Sequence, residues 1–293
     1  MTETLRSEQQ KEFAQFCIET IDDVLGDWKE LRQQTIAQLS APIENSVFYS
    51  DQERCRANYQ LRQAMVGTVE HCVMLLKIMA QFTHNIHHCI RAGTLLPALS
   101  SARSLLEASW IVARYLDSAV PQDKRMARFG AAYVGTLHGQ IAQGRKMYTE
   151  ADVIANLDEL GSDLARQFSE SEFAIVSGGN TKNDWSKKLL SVSYNEYLES
   201  LKPNYTDWES LYSPDLKGMY AFLSGAVHSQ QWFLRTDIGE SSALPIIMIA
   251  LLHASKVYTT TMSSYFGFDA TLLLERIESQ LTRLWEMNPK ASG

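Results

Sequence analysis

The side chains best placed to do chemistry sit as two pairs, each spaced by one helical turn. Arg103 and Glu107 form the first pair; Ser224 and His228 form the second. At about 100° per residue, Leu99, Ala102, Leu106, Trp110 and Ala113 make one buried stripe, and Arg103, Glu107 and Arg114 line its edge. Charges at that edge are half-buried and need partners. An arginine can clamp an anion, and a histidine can move a proton near neutral pH. Glutamate can orient either one, and serine can hydrogen-bond a ligand or the imidazole. Tyr220 and Trp232 flank the histidine, and with Arg114 they are candidates for binding a ligand. A purely structural role explains the same residues as an edge-of-core ion pair and a core-edge histidine. However, a cation preceding its anion by four residues is the poorer order for a helix salt bridge.

Other constellations carry less. His84 and His88 have a spacing that can bind a metal, with His87 between them, but no third ligand follows from the spacing and no metal is expected. Cys72 and Cys89 lie in apolar helical stretches and read as small buried residues. Asp22, Asp23 and Asp27 resemble an aspartate box for diphosphate chemistry, but the third acid comes one residue late. There is no phosphate-binding glycine loop, no dinucleotide fingerprint and no nucleophile elbow, so no cofactor is expected.

These residues need a scaffold, and its class follows from composition. The 293 residues include only 15 Gly and 7 Pro, below average usage. Few breakers favour long helices, and strand signals are nearly absent. Apolar periodicity predicts helices over 8–39, 52–91, 97–117, 122–147, 150–176, 214–234, 242–266 and 269–287, with a weaker one over 186–201. Gly93 should cap one helix in the left-handed region, and Thr94 with Pro97 should start the next, giving an antiparallel hairpin. Residues 40–51 read as a loop or short helical turn, and 177–186 and 202–214 read as irregular. The expectation is an all-α fold of about eight helices. Residues 1–50 form an N-terminal helical extension, and 51–293 form a single helical domain.

The segments Arg91–Ile111 and Tyr220–Ser229 carry a pattern in which an R-x-x-x-E helix is paired with a later S-x-x-x-H helix. In this the chain resembles the DUF5677 group of helical proteins, itself similar to the broader HEPN superfamily. The matching positions are Arg103, Glu107, Ser224 and His228. The resemblance implies a helical domain acting as a dimer. It also implies a metal-independent ribonuclease of a defence or toxin system, with those four residues catalytic. HEPN domains usually carry arginine and histidine in one short segment; here they must converge from two helices.

Charge narrows the partners. Twenty-seven Lys and Arg against 34 Asp and Glu give a net charge of −7. The best basic cluster, Lys187-Lys188, is too small to grip a duplex, so duplex DNA is not an expected partner. RNA or an anionic small molecule would have to be met by a local basic cleft. The N-terminus has no export signal, the most apolar window (Leu244–Leu252) is short for a membrane span, and four unpaired cysteines suit a reducing compartment. A cytoplasmic protein without membrane contact is the expectation. Three functions fit: a non-catalytic sensor, scaffold or ligand-binding module; a metal-independent ribonuclease; and an enzyme acting on an anionic small molecule.

Overall fold

A computed structural model describes residues 3–133, 151, 155, 203–228 and 240–287. Among them there is no strand, and the fold is all-α. Helix α1 (Glu3–Ser40) is followed by α2 (Val47–Cys55), α3 (Tyr59–Ala92) and α4 (Leu95–Leu116). Residues 122–133 are also helical. Helix α5 (Tyr205–Tyr212), a 3-10 turn (Pro214–Leu216), α6 (Met219–Val227), α7 (Glu240–Phe266) and α8 (Thr271–Met287) complete the described elements. Apart from residues 151 and 155, which are helical, the helices expected at 150–176 and 186–201 and the loop at 177–186 lie outside the described residues.

The chain divides into two compact units. One comprises Met1–Ser46, Cys72–Leu116 and Tyr205–Gly293; the other comprises Val47–His71 and Asp117–Asn204. In the first unit, α7 packs along α4 and also meets α1 and α8. The stripe read from α4 is buried, with Leu99, Ala102, Leu106, Trp110 and Ala113 at 3% exposure or less. On α1, Phe13, Phe16, Cys17, Ile21 and Val24 face inward as their spacing predicts. All four cysteines are buried. The α3–α4 connection forms as expected: Gly93 adopts φ 67°, Thr94 N–H donates to Cys89 O (2.9 Å) and Gly93 N–H to Ile90 O (3.2 Å). Asn85 Nδ2 then donates to Ser101 Oγ at 2.7 Å across the hairpin.

Three boundaries differ from the sequence reading, each for a local reason. The helix expected over 52–91 is broken after Cys55 into α2 and α3, and α2 begins earlier, at Val47, because Phe48, Asp51 and Cys55 recur on one buried face. The stretch between Pro203 and Pro214 also contains a helix, α5, whose Trp208 and Glu209 are buried. The helix expected over 214–234 begins only at Met219. Gly218 takes φ 90° and separates the 3-10 turn from α6. Val227, at the end of that helix, is 38% exposed.

Two helices, Leu61–Ala92 and Ala243–Phe266, are long and apolar enough to cross a membrane by length and composition. Most of the second is buried inside the protein, as a core helix requires.

Helices α1 and α8 meet through a buried acid. Asp27 is 5% exposed and accepts a hydrogen bond from Arg276 Nη1 through Oδ1, while Oδ2 has no partner among the described residues. Burial pushes its carboxyl up to about 6; Arg276 opposes this, and Asp23 and Glu30 add to it. The folded protein therefore holds this proton more tightly than the unfolded chain, whose Asp titrates near 3.9. The stabilisation is complete below about pH 4 and is lost as pH rises towards about 6. Relative to Asp27→Asn, wild type should lose about 2–3 kcal/mol between pH 4 and 7. Urea unfolding of both proteins across that range checks this; parallel curves would refute it.

Candidate functional site

The first unit brings four of the sequence-derived residues together at the α4–α6 contact. Arg103 and Glu107 lie one turn apart on α4, half-buried, and Arg103 Nε donates to Glu107 Oε1 at 2.8 Å. Arg103 Nη2 donates to Tyr220 Oη at 3.0 Å, and the guanidinium carbon lies 5.1 Å from the Tyr220 ring centroid. Arg103 Nη1 lies 3.2 Å from His228 Nε2. A guanidinium only donates, so this bond requires a lone pair on Nε2 and places the neutral ring's proton on Nδ1. His228 itself is exposed and is the C-cap residue of α6. Its backbone N–H donates to Ser224 O at 3.0 Å, the ordinary bond of a helical turn, and Ser224 is half-buried.

Arginine and histidine thus converge from two helices. Arg114 is three turns along α4 from Arg103 and is buried at 8% exposure. Trp232 lies outside the described residues.

The electrostatics favour a guanidinium cation beside neutral phenols. Burial would lower the Arg103 pKa, but the charge and hydrogen bonds of Glu107 and Tyr220 outweigh it and raise it. Tyr220 is raised by burial and by Glu107, against the pull of Arg103. Tyr205 is pushed up to about 12, first by burial and then by Glu107. Both phenols therefore keep their protons across the physiological range.

Two features that position the cluster were not read from the sequence. The first is an aromatic bed. Tyr220 lies 5.8 Å from Trp110 and 5.4 Å from Tyr205, and Tyr205 meets Trp208 edge-on at 5.4 Å. Fully buried Trp110 is fixed by donating Nε1–H to Ser213 Oγ at 3.0 Å. The second is Glu209 of α5, 3% exposed. Its carboxylate accepts Gly218 N–H at 3.1 Å and Tyr220 N–H at 2.7 Å. It therefore caps α6 from outside that helix, where the N-cap glycine has no side chain to do so. The signal available in the sequence was an acid next to a tryptophan within a short helical period, but the flanking prolines masked it.

The histidine triplet separates. His84 and His88 are exposed, whereas His87 Nε2 is 3.9 Å from Asp22 on α1. His87 is kept below the usual histidine range, chiefly by burial and then by Arg91. Asp23, from the aspartate-rich run, accepts Gln280 Nε2 at 3.0 Å, so this run ties α1 to α8.

Comparison with protein-family models, with curated proteins and with solved structures returned no match.

Proposed function

We propose that this chain is a helical ligand-binding module whose α4–α6 site takes a phosphate group, presented by single-stranded RNA or by a small anionic molecule. The observation that carries this is the convergence of Arg103 and exposed His228 at 3.2 Å from separate helices. Of the five guanidinium N–H donors, three are engaged by Glu107, Tyr220 and His228. The two left can meet a pair of phosphate oxygens. Glu107 cancels part of the arginine's charge, and the whole protein is acidic. Both favour a small ligand or short segment over a long polyanion.

One observation favours a second reading, metal-independent RNA cleavage: Arg103 leaves a lone pair on His228 Nε2. When a phosphate draws Arg103 away, Nε2 can take the 2′-hydroxyl proton. The 2′-oxygen then attacks phosphorus, the P–O5′ bond breaks, and the departing oxygen takes a proton from water. The products carry a 2′,3′-cyclic phosphate and a 5′-hydroxyl, while Arg103 offsets charge on the transferring group. The R-x-x-x-E and S-x-x-x-H pattern, which resembles that of HEPN-like proteins, favours this reading, and the homodimer and cytoplasmic setting it implies belong to the same proposal.

A short oligouridylate incubated with chelator-treated protein separates the readings. Saturable binding without cleavage, weakened at least tenfold by Arg103→Ala, supports the binding module. Cyclic-phosphate ends that vanish in His228→Ala support the enzyme. Oligouridylate that neither binds nor is cleaved overturns both, and leaves the cluster as a structural network whose loss lowers the melting temperature.

A further inference from the structure

A separate cavity opens in the second unit, around the turn that joins α2 to α3. Its volume is about 390 Å³, and it is lined by Gln52, Glu53, Arg56, Arg62, Met65 and Val66. That size lies within the range of small-molecule sites, which typically pair an apolar surface with a few polar anchors. Met65 is 1% exposed and forms the floor; Val66, 39% exposed, continues it towards solvent.

The cavity is electropositive for three reasons. Arg62 forms no side-chain hydrogen bond or ion pair among the described residues, so its guanidinium is uncompensated there. Arg56 Nη1 meets Glu53 Oε2 at 3.2 Å, an exposed pair that contributes little and exchanges readily. The wall also includes the start of α3, a helix of 34 residues with no acid in its first turn to offset the positive end of its dipole. Asn58 fixes that start, accepting Leu61 N–H at 3.0 Å. Glu53 is the only acid in the lining among the described residues.

We propose that this cavity binds a small molecule bearing one oxyanion group and a short apolar body. Arg62 and Arg56 hold the oxyanion, Gln52 supplies a neutral amide, and the Met65–Val66 surface takes the apolar part. A phosphate and a carboxylate share this chemistry, and guanidinium forks receive either one bidentately.

The test is a calorimetric titration of the full chain with three probes: inorganic phosphate, butyl phosphate and hexanoate. Butyl phosphate or hexanoate, whichever carries the right oxyanion, should bind more tightly than about 1 mM. Inorganic phosphate should bind more weakly, because it lacks the apolar body. Arg62→Ala should weaken the better probe at least tenfold, and Arg56→Ala several-fold. Arg62→Lys should retain part of the affinity, because a point charge remains. Arg103→Ala should leave this binding unchanged, which separates the cavity from the α4–α6 site. Both cavity arginines are exposed, so these variants should melt with wild type. Failure of all three probes to saturate, or equal affinity in Arg62→Ala, overturns the proposal.

Discussion

Replacing Glu209 by alanine should lower the unfolding free energy by about 1–2 kcal/mol, the cost of losing a buried carboxylate that caps two part-buried N–H groups at a helix start. The carboxylate holds Gly218 and Tyr220 N–H at the start of α6, and Gly218 has no side chain to take over. The effect should be local as well as global. Tyr220 lies in the first turn of the helix that His228 caps, so loosening its backbone disturbs two of the three partners of Arg103. Amide exchange at Gly218 and Tyr220 should accelerate more than at buried α4 positions such as Leu106. Glu209→Gln keeps an acceptor oxygen and should lose about half as much. If exchange at these two amides is unchanged in the alanine variant, Glu209 is not what caps α6.

The other large effect lies in the second unit. Asp51 is fully buried and accepts two parallel bonds from Arg125, Nε to Oδ2 at 3.0 Å and Nη2 to Oδ1 at 2.9 Å. Gln122 Nε2 adds a contact at 3.2 Å to Oδ1, and Arg125 Nη1 also donates to Val120 O. Such a pair adds little net stability when intact, because desolvating two charges offsets their attraction. Removing one partner leaves the other buried and uncompensated. Asp51→Ala should therefore cost about 3–5 kcal/mol. Replacing both residues with apolar side chains of similar volume should recover most of that loss. Denaturant unfolding of the single and double variants checks both statements. Equal destabilisation by the single and double variants would mean that packing at Asp51, rather than the stranded charge, sets the cost.

The helical architecture was legible because it rests on repetition. The stripes on α1 and α4 extend over many turns, and each turn repeats the same signal. The Gly93 cap was readable because only a residue free at positive φ ends a helix that way. Short elements escaped for the opposite reason. Helices α2 and α5 span two turns or so, too few for periodicity to outweigh adjacent prolines and polar residues. The α4–α6 cluster was half visible. Spacing put Arg103 with Glu107 and Ser224 with His228, each within one helix, and Tyr220 was noticed only as a flanking aromatic. Its role as the ring beneath Arg103 depends on Trp110 and Tyr205, contacts distant along the chain that no local pattern encodes. Gly218 is the break that sets where α6 begins, and a positive φ is not something that periodicity encodes.

The claim that the α4–α6 cluster recognises an anion is tested most directly by neutralising the acid that competes for Arg103. Glu107→Gln keeps an oxygen to accept the Arg103 Nε–H bond and removes one negative charge from the site. Calorimetry with uridine monophosphate should then show tighter binding, by a factor of several, because the negative charge that competes for Arg103 is gone. Arg103→Ala should weaken the same binding at least tenfold. Unchanged affinity in both variants, accompanied by lower melting temperatures, would contradict the claim and leave the cluster as a polar brace between two helices.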